Sequence, residues 1–134
     1  MVEKIKKSDA DWEKLLTEKQ YEITTKKGTE PPGTRTFGTV HEPGIFQCVR
    51  CGTDLFRSST KFESRTGWPS YYKPISPLNV VEQLDTSLGM MRTEVLCARC
   101  DSHLGHVFDD GPPPTGKRYC MNGLTLKFVP EDQL

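Results

Sequence analysis

Only two alanines, Ala10 and Ala98, stand in 134 residues. No apolar run approaches the roughly 18 residues of a membrane-spanning helix. The opening residues, Met-Val-Glu-Lys-Ile-Lys-Lys, lack the apolar stretch of a signal peptide. Charge of one sign is missing too, since 18 Lys plus Arg balance 18 Asp plus Glu. That balance excludes a strongly basic nucleic-acid module and gives no global pull toward anionic membranes. The expectation is a cytoplasmic protein with neither nucleic acid nor membrane as partner. Apolar residues make up 34% of the chain, whereas Gly (11) and Pro (10) are abundant. Few helix formers and many turn residues predict short strands joined by irregular loops. A modest core of this kind calls for an additional staple.

Five cysteines are present, and four fall in two pairs, Cys48-Val49-Arg50-Cys51 and Cys97-Ala98-Arg99-Cys100. Two residues between cysteines let a tight turn aim both sulfurs at one point, and two such turns supply four soft ligands for a tetrahedral ion. Soft sulfur favours zinc, or a rubredoxin-like iron, over magnesium or calcium. Disulfides are disfavoured in a cytosolic setting. A thioredoxin-like dithiol should open a helix, whereas Cys51-Gly52 reads as a turn. The reading adopted is one structural zinc on Cys48, Cys51, Cys97 and Cys100, with no open position for water. Arg50 and Arg99, inside the turns, are expected to offset its negative charge.

Along the chain, residues 8 to about 28 carry the helical pattern. Ser8 with Asp11 and Thr17 with Gln20 resemble capping boxes, Trp12, Leu15 and Leu16 form an apolar stripe, and Gly28 is the expected stop. Glu30 to Gly44 reads as an extended loop. Strand signals follow at Ile45–Gln47, Asp54–Arg57, Val80–Leu84 and Met91–Leu96. The last run alternates, with Leu124, Leu126 and Phe128 on one face and Thr125 and Lys127 on the other. The residues therefore describe a mainly β, antiparallel single domain over 1–134, with a helical arm at about 8–28 and a β region at about 45–130.

The fifth cysteine, Cys120, lies in Arg118-Tyr119-Cys120-Met121-Asn122. In an extended segment Arg118, Cys120 and Asn122 share one face, and a guanidinium beside sulfur favours thiolate. A buried structural cysteine is the competing reading. Two of the chain's three histidines lie in His103-Leu104-Gly105-His106-Val107-Phe108-Asp109-Asp110-Gly111, and His exchanges protons near neutral pH. Trp68, in Gly67-Trp68-Pro69-Ser70, offers an aromatic face for a small apolar pocket.

Taken together, Gly67-Trp68-Pro69-Ser70, His103 to Gly111 and Arg118 to Asn122 resemble the methionine-R-sulfoxide reductases, the B-type methionine sulfoxide reductase family, and the two cysteine pairs resemble its zinc-containing form. The resemblance runs from about Asp9 to Glu131. It implies two antiparallel sheets in a β-tent-like arrangement with N-terminal helices, and reduction of the R epimer of methionine sulfoxide in protein repair after oxidative stress. By position it makes Cys120 the nucleophile and places His103 and His106 at proton-handling positions. Trp68 and Phe108 fall at the methyl-binding pocket, and Arg118, Asp110 and Asn122 at supporting ones. Many members carry a second cysteine where this chain has Thr66, and Gly123 stands where a serine is common. The implied partners are oxidised proteins or peptides as substrate and thioredoxin, glutaredoxin or glutathione as reductant, acting on a monomer.

Overall fold

The computed structural model describes residues 5, 8–26, 43–62, 69–86, 89 and 91–133. Two short helices come first, α1 at Asp9–Leu15 and α2 at Glu18–Lys26. Both start where the capping residues predict. The Ser8 hydroxyl accepts from the Asp11 N–H at 3.2 Å. Thr17 and Gln20 cap each other reciprocally: the Thr17 hydroxyl accepts from the Gln20 N–H (3.2 Å), and Gln20 Oε1 accepts from the Thr17 N–H (3.0 Å). Trp12 is buried, but Leu15 is 63% exposed and does not join its stripe. α1 is only two turns long, and Leu16, one turn on from Trp12, takes the inward position as its C-cap. The expected stop at Gly28 and most of the loop 30–44 lie outside the described residues.

Nine strands follow among the described residues: β1 Gly44–Cys48, β2 Asp54–Arg57, β3 Lys61–Phe62, β4 Ser70–Tyr71, β5 Val80–Asp85, β6 Arg92–Cys97, β7 His103–Phe108, β8 Arg118–Met121 and β9 Leu126–Pro130. They form two sheets with antiparallel pairing, ordered β2-β1-β9 and β3-β4-β8-β7-β6-β5. The alternation read at the end of the chain holds only from Leu126. Gly123–Thr125 forms a 3₁₀ turn, and Thr125 is fully buried with its hydroxyl donating to the Asn122 carbonyl at 2.6 Å.

The core lies between the sheets. Phe46 and Phe56 of the small sheet meet Tyr71 of the large one, at ring centroid distances of 5.2 and 4.4 Å, and Phe56 also meets Tyr119 at 5.8 Å. Tyr119 and Met121 thus point into the core, as period-two alternation requires, and Cys120 points the other way. β5 is an edge strand, so Val81 and Leu84 of the expected apolar run are exposed.

Candidate metal centre and active site

The four paired cysteines converge. Their sulfurs lie within 4.8 Å of one another, with Cys48 Sγ to Cys100 Sγ and Cys51 Sγ to Cys97 Sγ both 3.6 Å. A tetrahedron with the usual 2.3 Å zinc–sulfur legs has edges of about 3.8 Å, so the cluster fits such an ion. The two turns are built alike. Gly52 N–H donates to the Cys48 carbonyl and Asp101 N–H to the Cys97 carbonyl, at 2.8 and 2.9 Å. Each turn then passes through a left-handed residue, Gly52 (φ 78°) or Asp101 (φ 61°). Glycine and aspartate are among the residues that tolerate that region. The chain returns to pair Thr53 with Cys48 and Ser102 with Cys97.

Four sulfurs this close cannot all ionise without a cation between them. Hydrogen bonds from Cys100 and Cys48 drive Cys51 well below the ordinary thiol value and bring Cys97 down to about 7, whereas the same network pushes Cys48 well up. Arg50, inside the first turn, has partners outside the cluster. Its guanidinium stacks 4.2 Å over the Trp12 ring and donates to the Thr24 carbonyl, tying the first turn to the helical arm. Ile5 N–H donates to the Arg99 carbonyl, anchoring the segment before α1 to the second turn.

A second cluster occupies the outer face of the large sheet. Cys120 on β8 stands opposite His106 on β7, which stands opposite Glu94 on β6; on its other side Cys120 stands opposite Ser70 on β4. Residues opposite one another in antiparallel strands share a face, with Cβ atoms about 4.5–5.5 Å apart. His103 and His106 are three apart and would face opposite ways in a regular strand. The register shifts between Val95 and Leu96, pairing Val95 with Gly105 and Leu96 with His103, so Leu104 is an extra residue. That bulge turns both imidazoles to the same face, with ring centroids 5.6 Å apart. Leu104 is left in the core.

Ser70, Asp85, Glu94, His103, His106, Cys120 and Asn122 are all buried. Glu94 Oε2 lies 2.7 Å from His103 Nδ1, and Asp85 Oδ2 lies 2.8 Å from His106 Nε2. His103 is thus committed to a carboxylate and not to the four-sulfur cluster. Neither Glu94 nor Asp85 stands out in the sequence as a site residue. The one available signal is an acid directly before the apolar Val95-Leu96, inside a strand-like run.

Asp110 and Arg118 form a fork, with Nε to Oδ1 at 2.8 Å and a second guanidinium nitrogen to Oδ2 at 3.2 Å. The fork holds the exposed Asp110 carboxyl below its usual range and raises Arg118, which also gains from Cys120 through charge and a hydrogen bond. Arg118 lies 4.4 Å over the Phe108 ring, and Phe108 lies 6.5 Å from His106. The Asn122 side chain and backbone N–H both donate to the Leu104 carbonyl, at 3.1 and 2.8 Å. Trp68 and Thr66 lie outside the described residues; Pro69, which is described, accepts at its carbonyl from Met121 N–H at 3.0 Å.

The class this defines is a two-sheet β protein with a four-cysteine metal-type centre and a separate buried cysteine flanked by two carboxylate-held histidines. Residues 16–130 match the SelR domain. The chain is 51% identical over 128 residues to the peptide methionine sulfoxide reductase MsrB of Herminiimonas arsenicoxydans, covering 96% of this chain and 93% of that protein. It is 50% identical over 131 residues to the protein of the same name from Pseudomonas putida strain W619, with 98% of each covered. It is also 60% identical over 122 residues to the chloroplastic peptide methionine sulfoxide reductase B1 of rice, covering 90% of this chain and 56% of that longer protein. The chain belongs to the SelR-domain family. No helix among its described residues is long and apolar enough to cross a membrane.

Proposed function

We propose that this protein is an oxidoreductase that reduces the R epimer of methionine sulfoxide, with peptide-bound residues as substrate and Cys120 as nucleophile. The observation that carries the reading is the register itself. Cys120 and His106 stand opposite each other on adjacent strands, with Arg118 on the same strand as the cysteine and two residues before it, and His103 beside His106. Arg118 stabilises the thiolate, Asp110 holds Arg118, and Asn122 fixes the end of β8.

A histidine donates a proton to the sulfoxide oxygen, which makes the sulfur electrophilic. The Cys120 thiolate attacks that sulfur, and the sulfur–oxygen bond breaks as oxygen passes to the cysteine. Methionine leaves, reduced by two electrons, and Cys120 becomes a sulfenic acid, oxidised by two. The substrate methyl gains cationic character as the oxygen is protonated, which suits the aromatic faces of Phe108 and Trp68.

Thr66 supplies no second thiol, and the other four cysteines belong to the metal-type cluster. An external thiol such as thioredoxin, glutaredoxin or glutathione therefore condenses with the sulfenic acid, releasing water and leaving a mixed disulfide. A second thiol then returns Cys120 to its starting state. Cys48, Cys51, Cys97 and Cys100 hold one zinc, which supplies a structural cross-link and no reaction chemistry. The protein works as a cytoplasmic monomer of one domain.

The test is turnover of separate R and S epimers of a methionine sulfoxide peptide with dithiothreitol, followed by chromatography. Methionine formed from the R epimer alone, and lost in Cys120→Ser, supports the reading. Equal turnover of both epimers, or full activity in Cys120→Ser, contradicts it.

A further inference from the structure

Two buried carboxylates are left over from the reaction just described. Glu94 is fully buried in the middle of an interior strand, and Asp85 is 7% exposed at the end of β5. A carboxylate in such a place is costly unless it is paired, and each has an imidazole as partner. The geometry of the two pairs differs: Glu94 meets Nδ1 of His103, whereas Asp85 meets Nε2 of His106. Arg92, opposite Asp85 in register, adds a guanidinium nitrogen 3.7 Å from the same Asp85 oxygen.

An ionised carboxylate can only accept hydrogen bonds, so the ring nitrogen facing it must carry hydrogen. In the neutral histidines this fixes His103 as the Nδ1–H tautomer and His106 as the Nε2–H tautomer. The nitrogen that gains and loses a proton is then Nε2 in His103 and Nδ1 in His106. Each carboxylate also fixes its ring's orientation.

We propose that Asp85 and Glu94 are positioning residues that lock the two histidines in opposite tautomers, so that proton exchange with the bound sulfoxide uses His106 Nδ1 and His103 Nε2. The inference rests on the proposed reduction for its kinetic meaning, but its structural half does not. Glu94 reaches His103 beside the same bulge that brings the two histidines to one face, and the side-chain contacts set which nitrogen each carboxylate meets. His106 stands opposite Cys120 itself, which makes Asp85 the carboxylate whose loss is felt most directly at the reacting centre.

The experiment combines nitrogen-15 NMR of the imidazoles with single-turnover kinetics, in the zinc-loaded full chain. The sequence has three histidines, so the resonances are assignable with His41 as the third. In the wild type with both rings neutral, His103 shows the Nδ1–H signature and His106 the Nε2–H signature. Asp85→Asn and Glu94→Gln, which preserve volume, each disturb the tautomer of their own histidine. Each lowers the saturating single-turnover rate of methionine formation at least tenfold, while the half-saturating concentration moves less than threefold. Asp85→Glu and Glu94→Asp keep the tautomers and recover part of the rate.

The same tautomer on both wild-type rings would overturn the proposal without any variant having to fold. So would unchanged single-turnover rates in folded Asp85→Asn and Glu94→Gln. A wild-type protein that reduced neither epimer yet showed the two opposite tautomers would contradict the proposed reaction, and leave the assignment of the two pairs standing.

Discussion

At the scale of single residues, the site depends on how closely two strands approach. A Cβ at Gly105 would collide with the Cys120 carbonyl oxygen and fall 2.9 Å from the Met121 Cα. Both contacts are with backbone, so no side chain can swing away to relieve them. Gly105→Ala should push β8 from β7, destabilise the fold by about 1–3 kcal/mol, and shift Cys120 away from His106. A thermal melt and the peptide assay together check this, with activity falling at temperatures where the variant is still folded. Arg118 makes a different kind of contribution. It is held by the Asp110 fork and by the Phe108 ring, and the charge of Cys120 is among the causes that raise it, after the Asp110 hydrogen bond. Arg118→Ala should slow alkylation of Cys120 by iodoacetamide at pH 7, because the thiolate loses its neighbouring cation. Peptide mass spectrometry against time reads the rate, and an unchanged rate would remove Arg118 from the site.

At the scale of elements, Tyr119 couples β8 to the edge of the large sheet. Its hydroxyl donates to Glu82 Oε2 on β5 at 3.1 Å. Burial first, and then the Glu82 charge and hydrogen bond, push the phenol up to about 12. A raised phenol favours the neutral form in the folded state. Its contribution is therefore complete below pH 10, and is lost as pH rises from 10 through about 12. Urea titrations across that window should show a steeper alkaline loss of stability in wild type than in Tyr119→Phe. The element scale is also where legibility in the sequence divides. The capping pairs at Ser8 and Thr17, the facing of Arg118 with Cys120, and the two cysteine turns all follow from local rules, and they hold in the structure. The strands are read correctly in kind, because β-branched and aromatic residues bounded by turn residues carry that signal. The bulge at Leu104 is not legible. It comes from how β7 pairs with β6, and a single strand contains no information about its partner's register. Without it, His103 and His106 face opposite ways on paper, and Glu94 and Asp85 have no visible reason to be buried. Arg50 is a similar case: the helical arm that receives it is distant in sequence.

At the scale of the whole molecule, the four-cysteine centre adds a second tie to parts that already share one core. The first turn links β1 to β2 in the small sheet, the second links β6 to β7 in the large one, and the segment before α1 hydrogen-bonds to the second turn. Trp12 lies against Arg50, so the helical arm is fastened to the same point. Removing the metal with a strong chelator should therefore loosen sheets and arm together, as one unfolding step near room temperature and with a change in tryptophan fluorescence. Metal analysis of the purified chain should give one zinc per molecule. The central claim is that Cys120 performs the chemistry while the other four cysteines keep their metal. Intact mass spectrometry tests it most directly, after anaerobic incubation with the R epimer of a methionine sulfoxide peptide and dimedone as a trap for sulfenic acid. One dimedone adduct is expected, located at Cys120, absent with the S epimer and in Cys120→Ser, with the zinc still bound. No adduct and no methionine from either epimer, or an adduct formed only as zinc is released, would contradict it.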